Sequence, residues 1–89
     1  MNLNNIWRVH FPRRVAKDIK KFPKGDHARI VEMLRDFENG PWAGDVVKIK
    51  GEENKWRRRV GSYRIFYFVH QESSLIEILE IERRGSNTY

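Results

Sequence analysis

The sequence predicts an α+β fold: an N-terminal strand, a helical hairpin, then an antiparallel meander. This makes a sheet of about four to five strands with helices on one face. Three observations carry that reading. Apolar residues alternate at the start, switch to helical spacing over residues 13–38, and alternate again beyond residue 45. Chain breakers fall at the switches, as Pro23 with Gly25 and then Asn39-Gly40-Pro41. Finally, Gly61-Ser62 separates two alternating stretches by the two residues that a tight β-hairpin uses.

The elements follow in order. Ile6–Phe11 reads as a strand, with Trp7, Val9 and Phe11 alternating with Arg8 and His10. Pro12 ends it and suits the first turn of a helix. Arg13–Phe22 reads as that helix, with Val15, Ile19 and Phe22 on one face and Arg14, Lys17, Lys20 and Lys21 solvating the rest. Asp26–Glu38 reads as a second helix, because Ile30, Met33, Leu34 and Phe37 stand at i, i+3, i+4 and i+7. Two helices joined by so few residues are expected to run antiparallel. Strands are expected at Val46–Ile49, Trp56–Val60, Tyr63–Val69 and Leu75–Ile81. The last is apolar on both faces, which suits a central position.

Eighty-nine residues suit one domain, 1–89, with a modest core. There is no cysteine, which excludes a disulfide framework and thiolate metal sites. No apolar run reaches membrane-spanning length and no signal peptide is visible, so a cytoplasmic protein without membrane association is expected. The net charge is +6, from 18 Lys and Arg against 12 Asp and Glu, which favours a polyanionic partner. His10, His27 and His70 lie on separate elements, so surface or turn roles are expected and no metal site or cofactor. The glycines are isolated turn residues with no phosphate-loop spacing.

Strand alternation puts Arg57 and Arg59 on one face, opposite Trp56, Arg58 and Val60. Likewise Arg64, Phe66 and Phe68 oppose Ile65, Tyr67 and Val69. A tight hairpin brings Arg57, Arg59 and Arg64 onto one surface. Guanidiniums that close repel unless an anion lies between them, and their planar forks match phosphate oxygens in pairs. The plainer alternative is a solvated face whose arginines pair with Glu52, Glu53, Glu77 or Glu80. Phe66 and Phe68 beside Arg64 favour a partner surface, either for stacked bases or for a packed protein segment.

Three stretches resemble the RelE/ParE toxin superfamily: Val47-Lys48-Ile49-Lys50-Gly51; Trp56-Arg57-Arg58-Arg59-Val60-Gly61-Ser62-Tyr63-Arg64-Ile65-Phe66-Tyr67; and an arginine-rich ending that closes at Tyr89. The hairpin pattern is fairly specific, because its spacing also encodes the turn. The resemblance implies the RelE/ParE fold and a toxin of a type II toxin–antitoxin system. In its RelE-like branch such a toxin occupies the ribosomal A site and cuts mRNA by metal-free attack of a 2′-hydroxyl, inhibiting translation. It implies catalytic roles for Arg57, Arg59, Arg64, Arg84 and Tyr89, and RNA contacts from Lys48, Lys50, Arg83 and Phe66. Tyr89 acts either as general base, with its pKa lowered by nearby guanidiniums, or by stacking on a base. Arg58 stands where the family usually carries an apolar residue. Lys48 stands near the acidic position of the YoeB-like branch and no histidine precedes Tyr89, which favours a RelE-like arrangement.

The resemblance also implies a RelB-like antitoxin, an acidic segment that folds over the basic face. The alternatives are a non-enzymatic ParE-like inhibitor of DNA gyrase, and a degenerate toxin that only binds its antitoxin.

Overall fold

A computed structural model describes residues 7–84. Strand β1 (Arg8–His10) is followed by helix α1 (Arg13–Lys20), helix α2 (His27–Asp36), and strands β2 (Asp45–Lys48), β3 (Lys55–Val60), β4 (Tyr63–His70) and β5 (Leu75–Arg83). The strands form one mixed sheet in the order β1-β5-β4-β3-β2. β2 through β5 make the expected antiparallel meander, and β1 joins the far side of β5 in parallel. β5 therefore has a neighbour on each side, in keeping with its apolar composition.

Each helix forms for local reasons that the tertiary contacts then complete. Pro12 caps α1 with its carbonyl, which receives the N–H groups of Val15 and Ala16. Lys17 and Lys20 in the last turn complement the helix dipole. α2 is extended at both ends by single 3₁₀ turns, Lys24–Asp26 and Phe37–Asn39, so the expected Asp26–Glu38 helix is α-helical only in its middle. Gly40, at φ +121°, then redirects the chain as only glycine does without strain.

One face of the sheet meets the helices. Val15 of α1, Ile30, Met33 and Leu34 of α2, and Phe37 just beyond it pack on Tyr63, Ile65, Tyr67 and Val69 of β4 and Ile76, Ile78 and Ile81 of β5. Each of these aliphatic side chains contributes roughly 1.5–3 kcal/mol of burial free energy. The hairpin between β3 and β4 pairs Val60 with Tyr63 across Gly61-Ser62. Gly61 has φ +57° and Ser62 has no positive φ, the pattern of a type II′ turn, whose twist suits a two-residue hairpin.

The register of β4 against β5 slips by one residue between Phe66 and Tyr67. Tyr67 faces Ile78, whereas Phe66 faces Glu80, so Leu79 is an extra residue. Such a bulge reverses the faces to which the side chains beyond it point.

Candidate functional site

The face away from the helices is built by the pleat of β3 and β4. In β3, Arg57 and Arg59 project onto it and Trp56, Arg58 and Val60 project toward the helices. The cross-strand partners make this explicit: Arg59 faces Arg64, and Arg57 faces Phe66. With β2 and β5 added, one row across the sheet reads Asp45, Arg59, Arg64, Glu82, and the next reads Val47, Arg57, Phe66, Glu80.

Positive charge accumulates at the Arg64 end of this face. The Arg64 guanidinium is shifted below its usual value, first by loss of solvent and then by repulsion from Arg84 and Arg57. Glu82 opposes that shift and Arg59 adds to it. An arginine starts so far above neutrality that it stays a cation, so the shift measures crowding rather than deprotonation. The Nε atoms of Arg57 and Arg64, like that of Arg58, are shielded from solvent and find no hydrogen-bond partner among the described residues, and unlike Arg58 these two make no other side-chain hydrogen bond there. Arg59 alone of this group holds a carboxylate, with Nε 3.1 Å from Asp45 Oδ2, both side chains about half exposed. None of Glu52, Glu53, Glu77 and Glu80 forms an ion pair with these arginines among the described residues.

Arg58 has a different fate. It is 2% exposed, its guanidinium lies 3.9 Å from the centre of the Phe37 ring, and it reaches Asp36 Oδ2 at 3.4 Å and the Gly40 carbonyl at 3.3 Å. Burial pulls its pKa down, while Tyr67 and Asp36 oppose the shift. Where an apolar residue is usual, the chain thus buries a cation between a ring, a carboxylate and a carbonyl, and β3 remains part of the core. Nearby, the Tyr67 hydroxyl donates to the Pro41 carbonyl at 2.6 Å, and burial pushes its pKa up to about 12 against the opposing effect of Arg58. Tyr67 and Arg58 together hold the Gly40-Pro41 turn onto the sheet.

The two late arginines part ways. Arg83 pairs with Tyr63 in register and faces the helices, where its Nε lies 3.9 Å from Asp26 Oδ2. Tyr63 donates its hydroxyl to the same oxygen at 2.6 Å. Burial, and next that bond, raise the phenol's pKa, with Arg83 opposing. Arg84 is instead tied to the hairpin turn by its backbone N–H, which donates to the Ser62 carbonyl, and it joins the charge around Arg64.

The other expected site residues separate similarly. Phe66 lies half-buried within the arginine face. Lys48 pairs with Trp56 and so faces the helix side, while Lys50 is exposed in the turn after β2. Neither is brought onto the arginine patch. Tyr89 lies outside the described residues. His70 stands 3.0 Å from Glu77, and His27 contacts the Phe22 carbonyl at 2.9 Å on the helix side of the sheet. His70 is six residues along β4 from Arg64, roughly 20 Å. Among the described residues no group of three His, Cys, Asp or Glu side chains is placed to hold a metal ion. No described helix is long and apolar enough to cross a membrane.

Sequence reasoning missed Asp45, because β2 begins one residue before the expected Val46. Asp45-Val46-Val47-Lys48 has no polar–apolar alternation that would have signalled it. Sequence reasoning named Glu80 only as one possible partner of the arginines and missed that Glu82 shares their face, since no local signal announces the bulge.

Comparison with known proteins converges on this same architecture. A toxin from Methanocaldococcus jannaschii named RelE3 is 36% identical over 62 residues, covering 65% of this chain and 70% of its own. The archaeal RelE–RelB complex from Pyrococcus horikoshii contains a chain that superposes with a TM-score of 0.76 at 30% identity, over 92% of this chain and 99% of that one. The RelBE2 toxin–antitoxin complex of Mycobacterium tuberculosis gives a TM-score of 0.79 at 25% identity, over 89% and 99%. The family described as the ParE toxin of the type II toxin–antitoxin system, parDE, matches residues 9–88. The chain therefore belongs to the ParE toxin family, within the RelE/ParE superfamily of type II toxins.

Proposed function

We propose that this toxin is a ribosome-dependent mRNA endonuclease that needs no metal. The observation that carries the reading is the convergence of Arg57, Arg59, Arg64 and Arg84 on one open sheet face, where the Arg57 and Arg64 side chains make no hydrogen bond or ion pair among the described residues. Cations left in mutual repulsion are a site prepared for an anion, and a phosphodiester supplies one.

The chemistry follows from that placement. A ribose 2′-hydroxyl gives up its proton and its oxygen attacks the adjacent phosphorus. The bond from phosphorus to the 5′-oxygen breaks, and that oxygen takes up a proton. The products are a 2′,3′-cyclic phosphate and a 5′-hydroxyl. Negative charge builds on the phosphorane oxygens at the transition state, where fixed guanidiniums stabilise it. Arginine stays protonated and does not serve as base. Tyr89 takes the proton or stacks on a base. Tyr89→Phe separates these roles, since it removes the hydroxyl and keeps the ring.

The partner we infer is a RelB-like antitoxin, because the solved relatives are RelE–RelB and RelBE2 complexes. We place the toxin in the cytoplasm as one domain, where ribosomes and antitoxin are available. A second reading, a gyrase poison of the ParE type, draws on the family's name alone, since its description states no target. The arginine face favours the nuclease.

The deciding experiment incubates purified toxin with a defined mRNA, with and without ribosomes, and maps the ends. Cleavage only with ribosomes, leaving cyclic phosphate ends and insensitive to chelators, supports the nuclease. Intact message together with gyrase-dependent DNA breaks transfers the assignment to the second reading.

A further inference from the structure

The bulge in β5 decides what stands beside Phe66. With an unbroken register Leu79 would face Phe66, and Glu80 would face Ile65, which is fully buried. The extra residue instead delivers Glu80 to the open face and returns Ile81 to the core. The bulge is held from outside the sheet, because Arg14 Nη2 of α1 donates to the Leu79 carbonyl at 2.8 Å. Bulges commonly re-aim a side chain next to a functional site.

Arg57, Phe66 and Glu80 consequently form one row across three strands. Two strand spacings separate its ends, roughly 10 Å. That width is comparable to the distance from a nucleotide's phosphate to the far edge of its base. The three side chains also differ in the right order: a cation, an aromatic ring, and an exposed carboxylate.

We propose that this row is a base-reading subsite, in which Phe66 carries a stacked base and Glu80 reads its Watson–Crick edge with a preference for guanine. The inference rests on the nuclease reading and names the substrate feature that the same face selects. A carboxylate only accepts hydrogen bonds. Guanine presents N1–H and the N2 amino group side by side, one for each carboxylate oxygen. Adenine and cytosine present one amino group next to an acceptor nitrogen, and uracil presents one N–H between two carbonyls. Stacking on aromatic rings and edge readout of splayed bases are the usual means of recognising single-stranded RNA. Glu80 also repels phosphate, which confines the backbone to the Arg57 side of the row.

The test uses ribosomes programmed with four messages that differ only in one A-site nucleotide, scanned through each codon position. At one position, guanine is expected to be cut on the order of 10- to 100-fold faster than uracil. Glu80→Gln replaces one acceptor with a donor, a pattern that suits adenine, so adenine should then be cut at least as fast as guanine. Phe66→Leu should slow all four messages and keep their order. Equal cutting of all four bases by the wild type, or an unchanged order in Glu80→Gln, overturns this inference and leaves the nuclease reading standing. Failure of the wild type to cut any message overturns both.

Discussion

Three consecutive arginines, Arg57 to Arg59, divide between the two faces of one strand, and the two faces treat the same side chain oppositely. Arg58 on the helix side is enclosed and has a ring, a carboxylate and a carbonyl as partners. Arg57, with Arg64 beside it, is half-buried, and neither side chain makes a hydrogen bond or ion pair among the described residues, whereas Arg58 leaves only its Nε without a partner. The difference teaches what to look for in a basic domain. A satisfied cation is part of the fold, whereas a group of unsatisfied cations held together by a rigid sheet stores repulsion that a polyanion relieves. The pleat allows both uses within three residues.

The largest expected effect comes from breaking the unsatisfied side. Arg64→Ala removes the cation at the centre of the cluster, and ribosome-dependent cleavage should fall on the order of 10²–10³-fold. The urea midpoint should move little, because Arg64 makes no ion pair among the described residues. A loss of cleavage under tenfold with the fold intact would remove Arg64 from the transition-state role and reduce the face to a binding surface.

Arg58→Ala attacks the satisfied side and should read out differently. It empties a buried volume and leaves the Gly40 carbonyl without its donor. Asp36 is 55% exposed and so remains solvated, which keeps the loss below that of a fully buried pair. A stability loss of about 2–3 kcal/mol is expected in urea unfolding. Cleavage per folded molecule should be unchanged. A variant as stable as the wild type, yet inactive, would show that Arg58 belongs to the site and that the division by faces fails.

This contrast was only partly legible in the sequence. Alternation gives parity within a strand, and the Gly61-Ser62 turn fixes the register of β3 on β4, so the shared face of Arg57, Arg59, Arg64 and Phe66 was readable. Lateral neighbours across longer connections were not. β1 sits beside β5 through a parallel pairing that no local signal encodes. The burial of Arg58 depends on Phe37 and Gly40, which arrive from the end of α2. The bulge at Leu79 reverses parity for the last third of β5, so Glu80 and Glu82 cannot be assigned a face by counting from Leu75. Arg83 and Arg84, both expected to act on RNA, separate because Arg83 follows Tyr63 toward Asp26.

The smallest expected effect tests the intermediate case, Arg59, whose partner Asp45 comes from the edge strand β2. The pair is about half exposed, so Asp45→Asn should change stability by under about 0.5 kcal/mol. Its influence should appear in RNA binding, because a released Arg59 becomes available to phosphate. With an uncleavable 2′-deoxy message fragment, affinity at low salt should rise a few-fold. Releasing one further counterion should steepen the dependence of log affinity on log salt by about 0.7. A steeper slope places Arg59 with Arg57 and Arg64 as a cation that Asp45 holds in reserve. An unchanged slope would mean that Arg59 does not reach phosphate even when released, so the Asp45–Arg59 pair would belong with Arg58 among the contacts that only fasten the sheet.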